Sequence, residues 1–298
     1  ADGSWFVASN NFVPYESSPG FFFMEASHVD AEGLRFRGES VDFRGNGLKI
    51  RDVTLTNRPG VQVSMWLQGN SNQFENIRLD RGTLLLTGQG NRLERLTQRW
   101  GQSTIVGTNA VMMNSVVYST NAVTTALVVN AAGAAVSNCT IVAPNGTALG
   151  KLGLGTLQLG HSILVAGGTN DANCALVWAG GNLASDWNNF WVTNNAWIGS
   201  YQGKWEKLVY WQAISGQDTH SVSFEPRFQS PALGDFHLNS EEGRWSPVHG
   251  SFQKDPPGNH SPLIDLGSRW IVVGDEEAPN GYRRNLGAYG ATEEASKS

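Results

Sequence analysis

Acids, amides and arginines recur at matching places along the first hundred residues: Asp52, then Asn76 and Arg78, then Arg95 and Thr97, with Arg81, Arg92 and Arg99 nearby. Elimination at a uronate needs a base for the proton beside the carboxylate and a cation for the enolate that results. Asp52, Arg78 and Arg95 are the residues that would carry this chemistry on an acidic polysaccharide. No Asp cluster with Ca²⁺-ligand spacing accompanies them, and a structural face of surface ion pairs is the stronger reading. Glycoside hydrolysis needs two carboxylates across a cleft. Glu75 and Glu94 occupy equivalent places in neighbouring segments, but each is flanked by basic residues and reads as part of a solvated face.

Trp187, Trp191 and Trp197 lie among Asn188, Asn189, Asn194 and Asn195. Flat rings beside amides suit sugars, because the rings stack on C–H surfaces while the amides take hydroxyls. The competing role, burial of an apolar outer surface with each indole N–H satisfied at its edge, is the stronger expectation. No cofactor is called for. Asp275-Glu276-Glu277 has the charge for Ca²⁺ but reads as a solvated loop. His161 reads as structural, and His220, His237, His249 and His260 lack metal-ligand spacing. A nucleophile elbow, a phosphate loop and a dinucleotide fingerprint are all missing.

These residues sit in a repeat. The segments GNGLKIRDV from Gly45, GNSNQFENI from Gly69 and GQGNRLERL from Gly88 share a frame. Looser copies begin at Thr108, Gly133 and Gly155. The closing residues Val53, Ile77, Leu96, Val116, Ile141 and Ile163 are 24, 19, 20, 25 and 22 residues apart. Around them apolar and polar residues alternate, as in a strand with one buried face. One such turn cannot bury its apolar side alone, so stacked turns must supply the core. The Leu-x-x-Leu-x-Leu frame of leucine-rich repeats, which share this period, is absent. The expected fold is therefore all-β, a right-handed parallel β-helix. Asn46, Asn70, Gln89 and Asn109, one after each opening residue, predict an amide ladder from coil to coil.

Only 16% of the 298 residues are charged, and 35 are glycine, which suits short strands joined by tight turns. The net charge of −5 argues against nucleic acid or an anionic membrane as partner, and no apolar run is long enough to insert in a bilayer. Cys139 and Cys174 either pair or, at Cys139, leave a buried free thiol. We expect a single domain: residues 1–40 as an N-terminal cap and first coil, 41–170 as regular coils, and 171–298 as irregular coils with a helix over 204–215 and a closing segment. Residues 100–150 contain no charge. Val117, Val142 and Leu164 are expected on the outer face there, covered by another part of the chain or by a partner.

The closing segment carries Glu225-Pro226-Arg227-Phe228, Gly234-Asp235-Phe236-His237-Leu238, Ser261-Pro262-Leu263-Ile264-Asp265 and Asn285-Leu286-Gly287-Ala288-Tyr289-Gly290. With the repeats, it resembles the closing region of large secreted bacterial right-handed parallel β-helix proteins, of pectate-lyase-like architecture. The resemblance implies an extracellular or cell-surface module of a longer protein, with Glu294–Ser298 as a boundary to a following domain. It specifies no activity, since lyases, glycosidases and modules without known catalysis share the fold. The expected function is a scaffold or carbohydrate-binding module, with a polysaccharide or neighbouring domains or subunits as partner. The alternative is a polysaccharide lyase or glycoside hydrolase.

Overall fold

The computed structural model describes residues 13–16 (backbone only), 21–57, 63–121 and 124–298. Within them the chain is a parallel β-solenoid of about eight coils. Coils 1 to 8 each give one strand to a first sheet, in the spatial order Phe21–Glu25, Ser40–Arg44, Val63–Gln68, Gly82–Gln89, Gln102–Thr108, Thr125–Ala131, Thr147–Lys151 and Cys174–Trp178, and Trp197–Ser200 extends that sheet after coil 8. Each also gives a strand, whole or broken, to a second sheet: Asp30–Glu32 with Arg35–Arg37 (coil 1), Lys49–Thr56 (coil 2), Gln73–Asp80 (coil 3) and Arg92–Glu94 with Thr97–Arg99 (coil 4). Coils 5 to 8 continue with Ala110–Tyr118, Gly133–Ala143, Thr156–Gly160 with Ile163–Ala166, and Asn182–Asp186 with Asn189–Val192. Antiparallel strands Val13–Glu16 and Lys204–Trp205 pair with the two ends of the first sheet.

The glycine that opens the early repeats has a steric cause. Gly69 and Gly88 both have φ 111°, and a Cβ on either would strike the carbonyl oxygen of the equivalent glycine one coil earlier. The amide column beside them is real, but its bonds run from side chain to backbone. Asn46 Oδ1 accepts from the Asn70 N–H and Asn70 Oδ1 from the Gln89 N–H, both at 2.8 Å. A second asparagine column is fully buried. Asn72 and Asn91 each donate to two carbonyls, and their Oδ1 atoms accept the N–H groups of Leu48 and Asn72. Buried amides are tolerable only when satisfied in this way.

The second sheet is bent at one register position, where Asp52, Asn76, Arg95, Asn114, Asn138, His161 and Trp187 all have φ between 47° and 59°. The kink frees an amide N–H just beyond it. In the later coils a short polar side chain from the next coil takes that hydrogen. Ser115 Oγ accepts from Leu96, Ser162 Oγ from Cys139, and Asn188 Oδ1 from Ser162, at 3.0–3.1 Å.

These polar acceptors shift the apparent repeat frame. Val53, Ile77 and Leu96 share an inward column that continues as Ser115, Cys139, Ser162 and Asn188. Val116 and Ile163, expected in that column, lie one place further on and face outward. The expectation for Val117 and Leu164 is corrected as well. They extend the inward column Leu55, Leu79, Gln98, Val117, Ile141, Leu164, Phe190 and lie in the main core with no exposure. Val142 does face outward, and it is buried. Full burial of each such aliphatic side chain favours folding by about 1.5–3 kcal/mol.

The helix is shorter than its periodicity predicts, spanning Leu208–Ser215, because Lys204–Trp205 pairs as a strand. Gly216 ends it in the left-handed conformation, its N–H bonded to the Gln212 carbonyl, a common helix stop. Fully buried Trp211 packs so closely on the first sheet that a Cβ at Gly199 would fall inside its indole. Its Nε1 donates to Asp218 at 2.8 Å, and Ser185, Ser221 and Asn188 also donate to that carboxylate. Cys139 and Cys174 are both free and buried, and burial pushes their thiols up to about 12 and about 11.

Candidate functional site

Residues 224–298 fold back over the outer face of the second sheet along coils 5 to 8. Phe236 packs edge-on against Tyr118 and Phe228, each with ring centroids 5.2 Å apart, above Val116 and Val142. Leu238, Leu263, Ile264 and Leu286 cover Ile163. The kink column supplies polar docking points. Asn114 donates to the Ala288 and Gly290 carbonyls, Asn138 accepts from Arg284, and His161 Nε2 accepts from the Ser268 N–H at 3.2 Å. Burial, followed by the nearby Arg284 charge, lowers His161 to about 4, which keeps the ring neutral and able to accept. The carboxyl of Glu276 takes the Asn285 and Ala291 N–H groups on one oxygen, and burial raises it to about 7. Among the described residues no cluster of His, Cys, Asp and Glu is arranged to hold a metal ion; of Asp275-Glu276-Glu277 only Glu276 is buried in this packing, and its two neighbours are exposed.

The apolar packing of this cover ends at coil 5, and its edge reaches Arg99 of coil 4, which donates to the Leu233 carbonyl at 3.4 Å. Beyond its edge, a groove of about 1360 Å³ opens between the exposed outer face of coils 1 to 4 and the closing segment. Its floor holds Arg35, Arg37, Thr54, Thr56, Asn76, Arg78, Asp80, Arg95, Thr97 and Arg99. Register orders these residues: Arg35, Thr54, Arg78 and Thr97 form one outward column, and Arg37, Thr56, Asp80 and Arg99 another. Arg99 is held by Asp80 through two bonds of 2.8 and 3.0 Å, and Arg95 lies 3.9 Å from Glu75. Among the described residues Arg35, Arg37 and Arg78 form no ion pair.

The wall from the closing segment is chemically different. His237 is almost fully buried, with Nδ1 2.6 Å from Asp235 and Nε2 3.4 Å from Glu294, and its ring stacks on Tyr289 at 3.6 Å. Burial opposes charge on the imidazole, but the two carboxylates outweigh it and raise His237 above its ordinary value. Burial likewise acts on Asp235, yet the His237 bonds hold it below the usual carboxylate range. The Tyr289 phenol is pushed up by burial and then by the Asp235 and Glu294 charges, against the pull of Arg78 and Arg99. It therefore stays a neutral donor in the neutral pH range.

Of the residues expected to do chemistry, Arg78 and Arg95 line this groove, whereas Asp52 lies one coil behind and accepts the Asn76 amide. Glu75 and Glu94 are paired in register as expected, and are engaged by Arg95 and Arg92 respectively. The structure separates Trp197 from Trp187 and Trp191, which both belong to coil 8 of the second sheet. Trp187 stacks on His220 at 4.4 Å beneath Arg283, Trp191 continues the outward column of Val165, and Trp197 is in the first sheet with Nε1 on the Asp171 carbonyl. None of them lines the groove. Sequence reasoning missed Asp235, His237, Tyr289 and Glu294. The available signal was Asp-Phe-His, which places an acid and a histidine on one side of a strand.

Comparison of the chain with family models, with curated proteins and with solved structures returns no match.

Proposed function

We propose that the groove binds an acidic polysaccharide and that the chain is a non-catalytic module of an exported or cell-surface protein. The observation that carries this reading is the open floor of coils 1 to 4, where Arg35, Arg37 and Arg78 have no acid partner among the described residues and alternate with threonine hydroxyls. Guanidinium groups suit carboxylate and sulfate recognition because their N–H forks match two oxygens at once. A rigid sheet holds them at fixed spacing, which lowers the ordering cost of binding. The chain's net negative charge makes this basic strip a local feature, selective for extended anions rather than for any polyanion at long range.

A second reading, β-elimination at a bound uronate, draws on Tyr289, whose phenol lies in the same groove near Arg78 and Arg99. Against it, both nitrogens of His237 are occupied by carboxylates, and Tyr289 is suited to donate a proton rather than to remove one. Binding without turnover is therefore the main proposal. Calorimetric titration with hyaluronan, polygalacturonate and a neutral glucan tests it, with ultraviolet detection of unsaturated product in the same samples. Salt-sensitive binding of an acidic chain, lost in Arg78→Ala, is the expected result. Equal affinity for the neutral glucan would overturn it, and product formation would establish the elimination reading.

A further inference from the structure

One outward column of the groove's floor is periodic in charge as well as in position. Along it, each coil contributes one side chain in the order Arg35, Thr54, Arg78, Thr97. Coils are spaced like neighbouring strands, about 4.8 Å apart, so cation and hydroxyl alternate and the two arginines stand about 9.6 Å apart. That span is close to the length of a disaccharide in an extended chain. The column then runs beneath the cover at Val116, where Glu293, Glu294 and Asp235 line the closing wall. An anion beside Thr97 would meet these carboxylates and two arginines that already have acid partners, Arg95 with Glu75 and Arg99 with Asp80.

We infer that the preferred ligand is an acidic polysaccharide with one anionic group per disaccharide, lying along the solenoid axis with alternate sugars over Arg35 and Arg78. This rests on the polysaccharide-binding reading and sharpens it to a charge spacing. A uronate over each arginine gains a charge-assisted bond, and the neutral sugar between them meets the Thr54 hydroxyl, which can donate and accept. A homouronate puts a second carboxylate beside a threonine or against the acidic wall, and loses the energy of desolvating it.

The test compares equal-length oligosaccharides of hyaluronan, with one carboxylate per disaccharide, and of polygalacturonate, with one on every sugar. Both are titrated into the full chain and into Thr54→Arg. Thr54 is half-exposed and outward, so the longer side chain has room. The parent should bind the hyaluronan oligosaccharide about tenfold tighter, the worth of one charge-assisted bond. Thr54→Arg should move the ratio toward polygalacturonate by a similar factor. Equal affinities, or tighter polygalacturonate binding with no response to Thr54→Arg, would overturn the spacing inference and leave polysaccharide binding standing. If neither oligosaccharide binds while circular dichroism shows folded chain, the underlying reading fails as well.

Discussion

One outward register position of the second sheet reads Arg35, Thr54, Arg78, Thr97 over coils 1 to 4 and Val116, Thr140, Ile163, Asn189 over coils 5 to 8. Two residues further along the strand the column is Arg37, Thr56, Asp80, Arg99 and then Tyr118, Val142, Val165, Trp191. Both halves share a backbone, a kink column and an inward core, so the solenoid itself does not set their difference. The outward residues do. Where they are apolar the chain folds back to bury them, and where they are charged the same face stays open and forms a groove at the boundary. The solenoid thus has two separable surfaces along its length, one that docks its own cover and one that stays open.

The largest effect that would break this comparison is on the cover. Phe236→Ala empties the space between Tyr118, Phe228 and Val142, and should cost about 4 kcal/mol in a denaturant titration. A cost below about 1 kcal/mol would show that the cover contributes little, and that the two halves differ less than their residues suggest. Next is the seam itself. Thr140 Oγ1 accepts the Ala288 N–H at 3.0 Å in a buried site. Thr140→Val keeps the shape but leaves that N–H unsatisfied, at a cost of about 2 kcal/mol.

The covered half should also respond to pH through two opposed groups. His161 falls from 6.5 to about 4 on folding. Between those values the unfolded chain takes up a proton that the folded chain refuses, so this contribution to stability is lost as pH falls. Glu276 rises from 4.5 to about 7. Here the folded chain keeps a proton that the unfolded chain releases, so its contribution is full below pH 4.5 and lost as pH rises toward 7. Each effect is of order 1–2 kcal/mol after allowance for solvent screening. Subtracting the parent's melting curves from those of His161→Asn and Glu276→Gln should expose slopes of opposite sign. Slopes of the same sign would mean that one of these groups titrates exposed.

The architecture was legible because a solenoid repeats its demands. Every coil needs a tight turn, an inward aliphatic and an alternating strand, and Gly45-Asn46 through Leu96 state these three times over. The frame blurred at coil 5 because Ser115, Cys139 and Ser162 serve the kinks instead of filling the core with methyl groups. That substitution made Val117 and Leu164 look outward. The groove was half legible. Arg78 and Arg95 stood out by their spacing, but the opposite wall comes from residues 235–294, more than a hundred positions away, and only the fold-back brings the two together. The helix was overextended because Lys204-Trp205 fits helical spacing and an edge strand equally well.

The smallest expected change in stability carries the most functional weight. Arg35 and Arg78 are exposed, pair with no acid among the described residues and sit on strands whose inward residues already fill the core, so removing both should alter stability by less than about 0.5 kcal/mol. The same double substitution removes both cations of the alternating column and should abolish the salt-sensitive part of polysaccharide binding. Calorimetry and denaturant titration on the Arg35→Ala, Arg78→Ala chain would test the division directly. Intact stability with lost binding places the ligand on the open half. Intact stability with intact binding would shift attention to the aromatic surfaces of coil 8, where Trp187 stacks on His220. A large loss of stability would mean that the arginines brace the fold, and the contrast between an open and a covered half would then describe packing alone.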